Sequence, residues 1–325
     1  MVVTRRLLLQ SAPCFAFATR AHGQAAWSPS QPVRLVVPYA AGGPTDAVAR
    51  IVADRLSATL PIRAIVENRA GGGALIGTEA VARAPADGGT LLFTTVVHAV
   101  HRALRGDKLS FDPEKDFAAV ALIGVVPQVI MVPADSPVRD LAGLIDNLRA
   151  GPRTYGSSGT GGSSHLGVEL LTKMTGTRAE HIPYRGTGPA MIDLLAGRIA
   201  FMMDSVVTGA AQVKAGSVRG IATTGRTRSA VLPDLPTVGE TLPGYEATTW
   251  NAILAPAATT PTLVEAMNAS IWKAIGDEAT PTKLSELGVQ LPAAGERSAQ
   301  AAQRFVAAET AKWGALIRDA KIVAE

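Results

Sequence analysis

Three short stretches rich in glycine and hydroxyl side chains carry the chemistry this sequence offers, and each stands where a strand gives way to a helix. The first is Pro38-Tyr39-Ala40-Ala41-Gly42-Gly43-Pro44-Thr45-Asp46. The second is Gly156-Ser157-Ser158-Gly159-Thr160-Gly161-Gly162-Ser163-Ser164-His165, and the third is Tyr184-Arg185-Gly186-Thr187-Gly188-Pro189-Ala190. Backbone N–H groups at a helix start have no partner within the helix and face the positive end of its dipole, so an anion can bind there without a basic side chain. Gly42 and Gly43 let a ligand approach the backbone closely. The hydroxyls of Ser158, Thr160 and Ser163 suit carboxylate oxygens, and Pro189 falls near a first helical turn. Thr45 or Asp46 is expected to cap the first helix. The same residues also fit ordinary turn and cap chemistry, and a Gly/Ser run can be a linker, although linkers rarely separate a strand from an amphipathic helix within one lobe.

Asp204 follows the apolar run Ile199 to Met203 at a strand end, where its carboxylate can meet a ligand amine or an ordered water, or cap the next segment. Other chemistries lack their residues. No Gly-x-x-x-x-Gly-Lys-Ser/Thr is present for nucleotide phosphates. Gly156-Ser157-Ser158-Gly159-Thr160 imitates a nucleophile elbow but ends in Thr160, with His165 and His181 as conceivable bases and nothing to orient a triad. Gly159-Thr160-Gly161 echoes a dinucleotide fingerprint whose third glycine is Ser164. His98 and His101 have a spacing that could share a metal, but no cysteine or adjoining carboxylate completes a ligand set. The sequence therefore predicts no catalytic residue, no metal and no cofactor.

The elements that would position these loops alternate. Val33 to Val37 reads as a buried strand before a helix from Asp46 to about Ser57; Ala64 to Glu67 precedes a glycine run and a helix from Thr78 to Arg83; Thr90 to Val96 is a further strand. A second set starts near Gly124 with one strand from Val125 to Val132, a helix from Leu141 to Arg149, and strands and helices through Val218 to Thr223. This alternation predicts α/β architecture with mixed sheets. The expected organisation is one lobe from 27–124 and 224–325, with residues 125–223 inserted as a second. A strand at Asn251 to Ala255 and helices at Thr262 to Ile275, Thr282 to Leu287 and Arg297 to Asp319 complete the scaffold. In open α/β sheets ligands collect at the carboxyl ends of strands, so loops from two lobes would face one crevice.

A length of 325 residues suits two lobes, and 47% hydrophobic with 18% charged residues can bury a large core. The net charge of +4 arises largely at the N-terminus: removing Arg5, Arg6 and Arg20 leaves 28 of the 31 basic residues against 27 acidic ones. No basic run with interleaved aromatics exists, which argues against a nucleic-acid partner. Residues 1–23 read as an export signal, with Thr4-Arg5-Arg6-Leu7-Leu8 similar to a twin-arginine motif and an apolar run too short to span a membrane. Pro13 spoils a lipoprotein box before Cys14, the only cysteine, so the mature chain has no disulfide.

The loops, in this order, resemble the Bug family of periplasmic solute receptors, the binding components of tripartite tricarboxylate transporters. The resemblance rests on Val36-Val37-Pro38-Tyr39 with Gly42-Gly43-Pro44-Thr45-Asp46, Val66-Glu67-Asn68-Arg69, Phe111-Asp112-Pro113 with Asp116-Phe117, Gly156-Ser157-Ser158-Gly159 with His165-Leu166, Ile182-Pro183-Tyr184-Arg185-Gly186, and Leu232-Pro233 with Pro236-Thr237. It implies a type II periplasmic binding protein fold with a ligand cleft between two lobes. It further implies a periplasmic, monomeric receptor that closes on a small organic carboxylate and works with the membrane subunits of such a transporter. By resemblance the contacts are Tyr39, Ala40, Gly42, Gly43, Thr45, Asp46, Ser158, Thr160, Ser163, His165, Gly186, Thr187, Ala190 and Asp204. Leu75 stands where the family usually has a polar residue, which implies a more apolar wall, and Gly89 stands where an aromatic is usual. The rival readings are a sensory binding protein and an α/β hydrolase using Ser158 or His165.

Overall fold

The computed structural model describes residues 27–277 and 279–323. The export signal expected at residues 1–23 lies outside them. The chain begins β1 (Val33–Val37), α1 (Pro44–Thr59), β2 (Ala64–Asn68), α2 (Leu75–Ala82), β3 (Thr90–Thr94), α3 (Val96–Arg105) and β4 (Phe117–Val126). It continues β5 (Gln128–Pro133), α4 (Leu141–Arg149), β6 (Arg153–Ser157), α5 (Ser163–Thr175), β7 (Ala179–Pro183), α6 (Thr187–Leu195), β8 (Phe201–Ser205), α7 (Val206–Lys214) and β9 (Val218–Thr223). It ends α8 (Val238–Thr241), β10 (Thr249–Pro256), α9 (Pro261–Ile275), α10 (Ala279–Glu286) and α11 (Ala299–Ala320).

Among the described residues ten strands form two five-stranded sheets, ordered β2-β1-β3-β10-β4 and β7-β6-β8-β5-β9. In the first, β1 runs parallel to β2 and β3, and β10 is antiparallel to β3 and β4. The second repeats the plan: β6 is parallel to β7 and β8, and β5 is antiparallel to β8 and β9. No sequence repeat announces this likeness, because a shared strand order needs only the same alternation of apolar strands and helices. The central strands β3 and β8 are buried along their whole length, as expected where helices cover both faces. The α/β class with two mixed sheets agrees with the sequence reading.

The chain crosses between the sheets at Pro127 and again after Thr223. The sequence predicts a single strand from Val125 to Val132, and the structure divides it: Val125 pairs with Trp250 in the first sheet, whereas Gln128 pairs with Ser205 in the second. Pro127 has no N–H to donate to a ladder, so the strand ends there and restarts in a new direction. Four elements were not expected, α3, α7, α8 and most of β4. The longest helix, α11, packs on α3, α5 and β4 and so touches both halves. Its Glu309 carboxylate accepts from the indole N–H groups of Trp250 at 3.1 Å and Trp313 at 2.7 Å, which satisfies two buried donors with one acceptor group. Among the described residues no helix is long and apolar enough to cross a membrane.

Candidate functional site

All three glycine loops emerge from the carboxyl ends of parallel strands, β1, β6 and β7, and each leads into a helix. In the first loop Gly43 is the N-cap of α1 and Pro44 opens the helix, without a side-chain cap. The cap expected of Thr45 or Asp46 is therefore replaced by another device. Asp46, in the third helical position and 3% exposed, reaches back to accept the Gly42 N–H at 2.9 Å. Its carboxylate also accepts from Arg50 Nε at 2.9 Å and Asn68 Nδ2 at 2.9 Å. These donors hold its carboxyl below the usual carboxylate range against the opposing effect of burial. The Asp46 carboxylate is thus saturated and shapes the loop, while its own N–H has no acceptor. Asn68 also donates to the Tyr39 carbonyl, and the Tyr39 hydroxyl bonds Thr95 Oγ1 at 2.6 Å, with burial raising its pKa to about 12. Gly42 has φ +83°, a left-handed turn that favours glycine. Ala40 is exposed and Thr45 half-buried.

The second loop is held by its own serines. Ser164 Oγ accepts from the Ser158 N–H at 2.9 Å and bonds Ser158 Oγ at 3.1 Å, and Ser157 Oγ accepts from the Gly159 N–H at 3.0 Å. His165 Nδ1 accepts from the Gly161 N–H at 3.0 Å, so its proton sits on Nε2. Its ring stacks on His181 at 3.9 Å between centroids, with Tyr155 against both. Burial keeps the two imidazoles neutral, lowering their pKa values to about 3 and about 4. His165 is therefore a loop support, 4% exposed. Ser164→Ala removes the acceptor for a half-buried N–H, and we expect a loss of about 1–2 kcal/mol in chemical denaturation.

In the third loop Gly186 is the N-cap of α6 with φ +104°. Burial raises the Asp204 pKa to about 6 against hydrogen bonds from Thr208, Thr187 and the Ser205 N–H. Asp204 thus bridges the third loop to the start of α7. Ala190 turns inward, fully buried and against Gly156, so its side chain belongs to the core. Leu75 is half-buried and packs on a core cluster, with Ala74 before it at φ +74°.

What the three loops share is unpaired backbone donors. Among the described residues the amides of Gly43, Thr45 and Asp46, of Thr160, Ser163, Ser164 and His165, and of Thr187 and Gly188 have no acceptor in the chain. A Cβ placed on Gly42, Gly186 or Gly188 would meet nothing within 4 Å, so these turns border open space. The second loop reaches the first half of the fold at Gly161, where a Cβ would clash with Leu104 of α3. Arginines of the first loop region are neutralised: Arg50 by Asp46 and Arg69 by Glu67.

Ser158 and His165 do not form the nucleophile–base pair that a hydrolase would need of them. Ser158 bonds Ser164 and no ring; the serine that meets a histidine is Ser157, whose Oγ lies 2.6 Å from His181 Nε2 and which is fully buried. His98 and His101 do not converge on a metal: their Nε2 atoms face the carbonyls of Pro113 and Gly73, and no metal-competent cluster occurs among the described residues. Sequence reasoning missed Asn68 and His181 as supports because their partners lie on other elements. Asn68 belongs to the Val66-Glu67-Asn68-Arg69 stretch, and the two bonds it donates, to the Tyr39 carbonyl and to Asp46, give that stretch a physical reason.

Residues 48–322 match the family described as tripartite tricarboxylate transporter family receptor. A relative from Pseudomonas sp. (strain P51), the UPF0065 protein in the tcbD-tcbE intergenic region, is 38% identical over 293 residues, 89% of this chain and 86% of that protein. The solved structure of R. palustris Rpa4515 with adipate has 34% identity and a TM-score of 0.82, covering 91% of this chain and 99% of that one. MatC (Rpa3494) from Rhodopseudomonas palustris with bound malate has 30% identity and a TM-score of 0.79 over 89% and 99%. The periplasmic binding protein fold and the family of solute-binding receptors follow, as the loop motifs implied. This chain belongs to the tripartite tricarboxylate transporter receptor family.

Proposed function

We propose that the protein is an exported receptor that captures a small organic carboxylate between two lobes and hands it to the membrane subunits of a tripartite tricarboxylate-type transporter, without catalysing a reaction on it. The lobes are the two sheets with their helices, joined at Pro127 and Thr224. The unpaired amides of three helix starts carry this reading, because each is an anion site without a committed cation. The bound adipate and malate of two neighbours support the ligand class. The open form admits the acid, contacts to both lobes favour closure, and the closed monomer in the periplasm is what the membrane partner receives.

A thermal-shift screen of dicarboxylates, tricarboxylates and aromatic acids tests the reading. A bound acid at 100 times its Kd is expected to add about 2.7 kcal/mol of stability. No stabilisation by any acid would overturn the carboxylate assignment. Arg185 is exposed and has no acceptor among the described residues. Since backbone donors hold the anion, Arg185→Ala should weaken calorimetric affinity less than about fivefold, with the loss shrinking as salt rises.

A further inference from the structure

Both connections between the sheets, and the helix that carries the richest set of free amides, converge on one buried side chain. Gln128 opens β5 directly after Pro127 and is 1% exposed. Its N–H donates to Thr224 Oγ1 at 2.8 Å, and its carbonyl accepts from the Thr224 N–H at 2.9 Å. The outgoing and returning chains are thereby stapled at one residue pair. The Thr224 carbonyl in turn accepts from the Ala247 N–H at 3.2 Å, on the segment leading to β10.

The side chain extends the staple to the site. Nε2 donates to the Ala247 carbonyl at 3.1 Å and to the carbonyl of Ser163, the first residue of α5, at 3.0 Å. Both neighbours are carbonyls, so only the amide NH2 can face them and the orientation is fixed by chemistry. Oε1 is left buried with no partner. A buried, half-satisfied carboxamide is less stable than an apolar side chain of the same shape, so the two donated bonds are the distinctive contribution of this position. A second bond reinforces them: Tyr245 donates its hydroxyl to the Gly167 carbonyl at 2.9 Å. Gly167 makes room, since a Cβ there would lie 2.7 Å from Met203 Sδ and 3.3 Å from Gln128 Nε2.

We propose that Gln128 is a positioning residue that couples the hinge to the anion site, holding the first turn of α5 in register with both crossing segments so that capture and lobe closure occur together. This rests on the receptor reading above. An anion drawn to the amides of Ser163, Ser164 and His165 pulls on a turn whose Ser163 carbonyl is tied to the hinge.

The test uses the full chain carrying Cys14→Ser, with spin labels at Glu265→Cys and Lys214→Cys, one beside each sheet, and adipate and malate as probes. Gln128→Met keeps the volume and removes both donors. It is expected to broaden the label–label distance distribution without ligand and to weaken binding of whichever acid the parent binds at least tenfold. Asn268→Leu is the matched control: it also removes two amide donations to carbonyls, the buried one of Val120 and the half-buried one of Arg297, but away from the crossings. It should lower Tm while leaving distance and affinity unchanged. A Gln128→Met distribution as narrow as the parent's, or equal broadening in Asn268→Leu, would overturn the proposal. If Gln128→Met does not fold, Tyr245→Phe removes one hydroxyl and is expected to broaden the distribution in the same sense; an unchanged distribution there counts against the coupling. If the parent binds neither acid, the dicarboxylate reading fails, while the ligand-free distances still decide the role of Gln128.

Discussion

Gly43→Leu is expected to weaken carboxylate binding at least about 100-fold, a loss of roughly 2.7 kcal/mol in calorimetric affinity, while the protein still folds. Gly43 has φ −80° and ψ 171°, extended backbone that any residue adopts. A Cβ there meets only the Ala40 carbonyl oxygen, at 3.7 Å. With so little within reach of that Cβ, the added side chain is expected to obstruct an anion at the neighbouring Thr45 and Asp46 amides without disturbing packing. Its direct cost to the helix cap should stay below about 1 kcal/mol. Gly42→Leu is the contrasting variant: at φ +83° it strains the turn that presents its N–H to Asp46, so stability and binding fall together. Parent-like affinity in Gly43→Leu, with a parent-like melting curve, would remove the first loop from the site.

Acid is expected to destabilise the protein steeply below pH 6.5. Burial holds His98 and His101 neutral with pKa values lowered to about 3 and about 4, and lowers those of His165 and His181 similarly. Between those values and 6.5 the unfolded chain binds more protons than the native one, so stability rises with pH across that window and is lost as pH falls through it. Asp204 opposes the trend, because its carboxyl, raised to about 6, binds a proton more readily in the folded state between pH 3.8 and 6. Four imidazoles outweigh one carboxyl. Going from pH 7.5 to 5 costs about 2 kcal/mol for each of His98 and His101, and the exchange should lower Tm by about 5–10 °C. Replacing His98 by Gln and His101 by Asn keeps a donor for the Pro113 and Gly73 carbonyls and removes the titration. The double variant should show a flatter Tm against pH between 7.5 and 5; a slope equal to the parent's would show that these two rings do not govern acid lability.

The parts of the fold that were legible in the sequence are those where a pattern is local. Val33–Val37, the glycine pair and Pro44 mark a strand, a turn and a helix start by themselves. The α3 helix was hidden because the apolar run of β3 continues into Val96, Val97 and Val100, and its two histidines are buried as if apolar. Pro127 stood in plain view, but apolar residues on both sides read as one strand, and only pairing with Trp250 and Ser205 reveals two. The candidate site was legible as three strand-to-helix loops, and less so in the hydrogen bonds of their individual side chains. The Asp46 and His165 side chains accept the Gly42 and Gly161 amides, because a polar side chain near an N-terminus serves whichever donor folding brings within reach; what these two residues have free for an anion is their own N–H groups. The Ala190 side chain shares a face of α6 with Met191 and Leu194 and packs in the core, which leaves only its backbone to face the loop. Gln128 had no local signal, since its partners Ser163, Thr224 and Ala247 are distant in sequence.

The central claim is that backbone amides at three helix starts hold the acid. Titrating amide-labelled protein with adipate or malate and following each N–H resonance tests it most directly. Hydrogen bonds from Gly43, Thr45, Thr160, Ser163, Ser164, Thr187 and Gly188 to a carboxylate should give these amides the largest downfield shifts, with both halves of the fold responding at one Kd. Shifts confined to one half, or centred on arginine side chains while these amides stay unmoved, would contradict it.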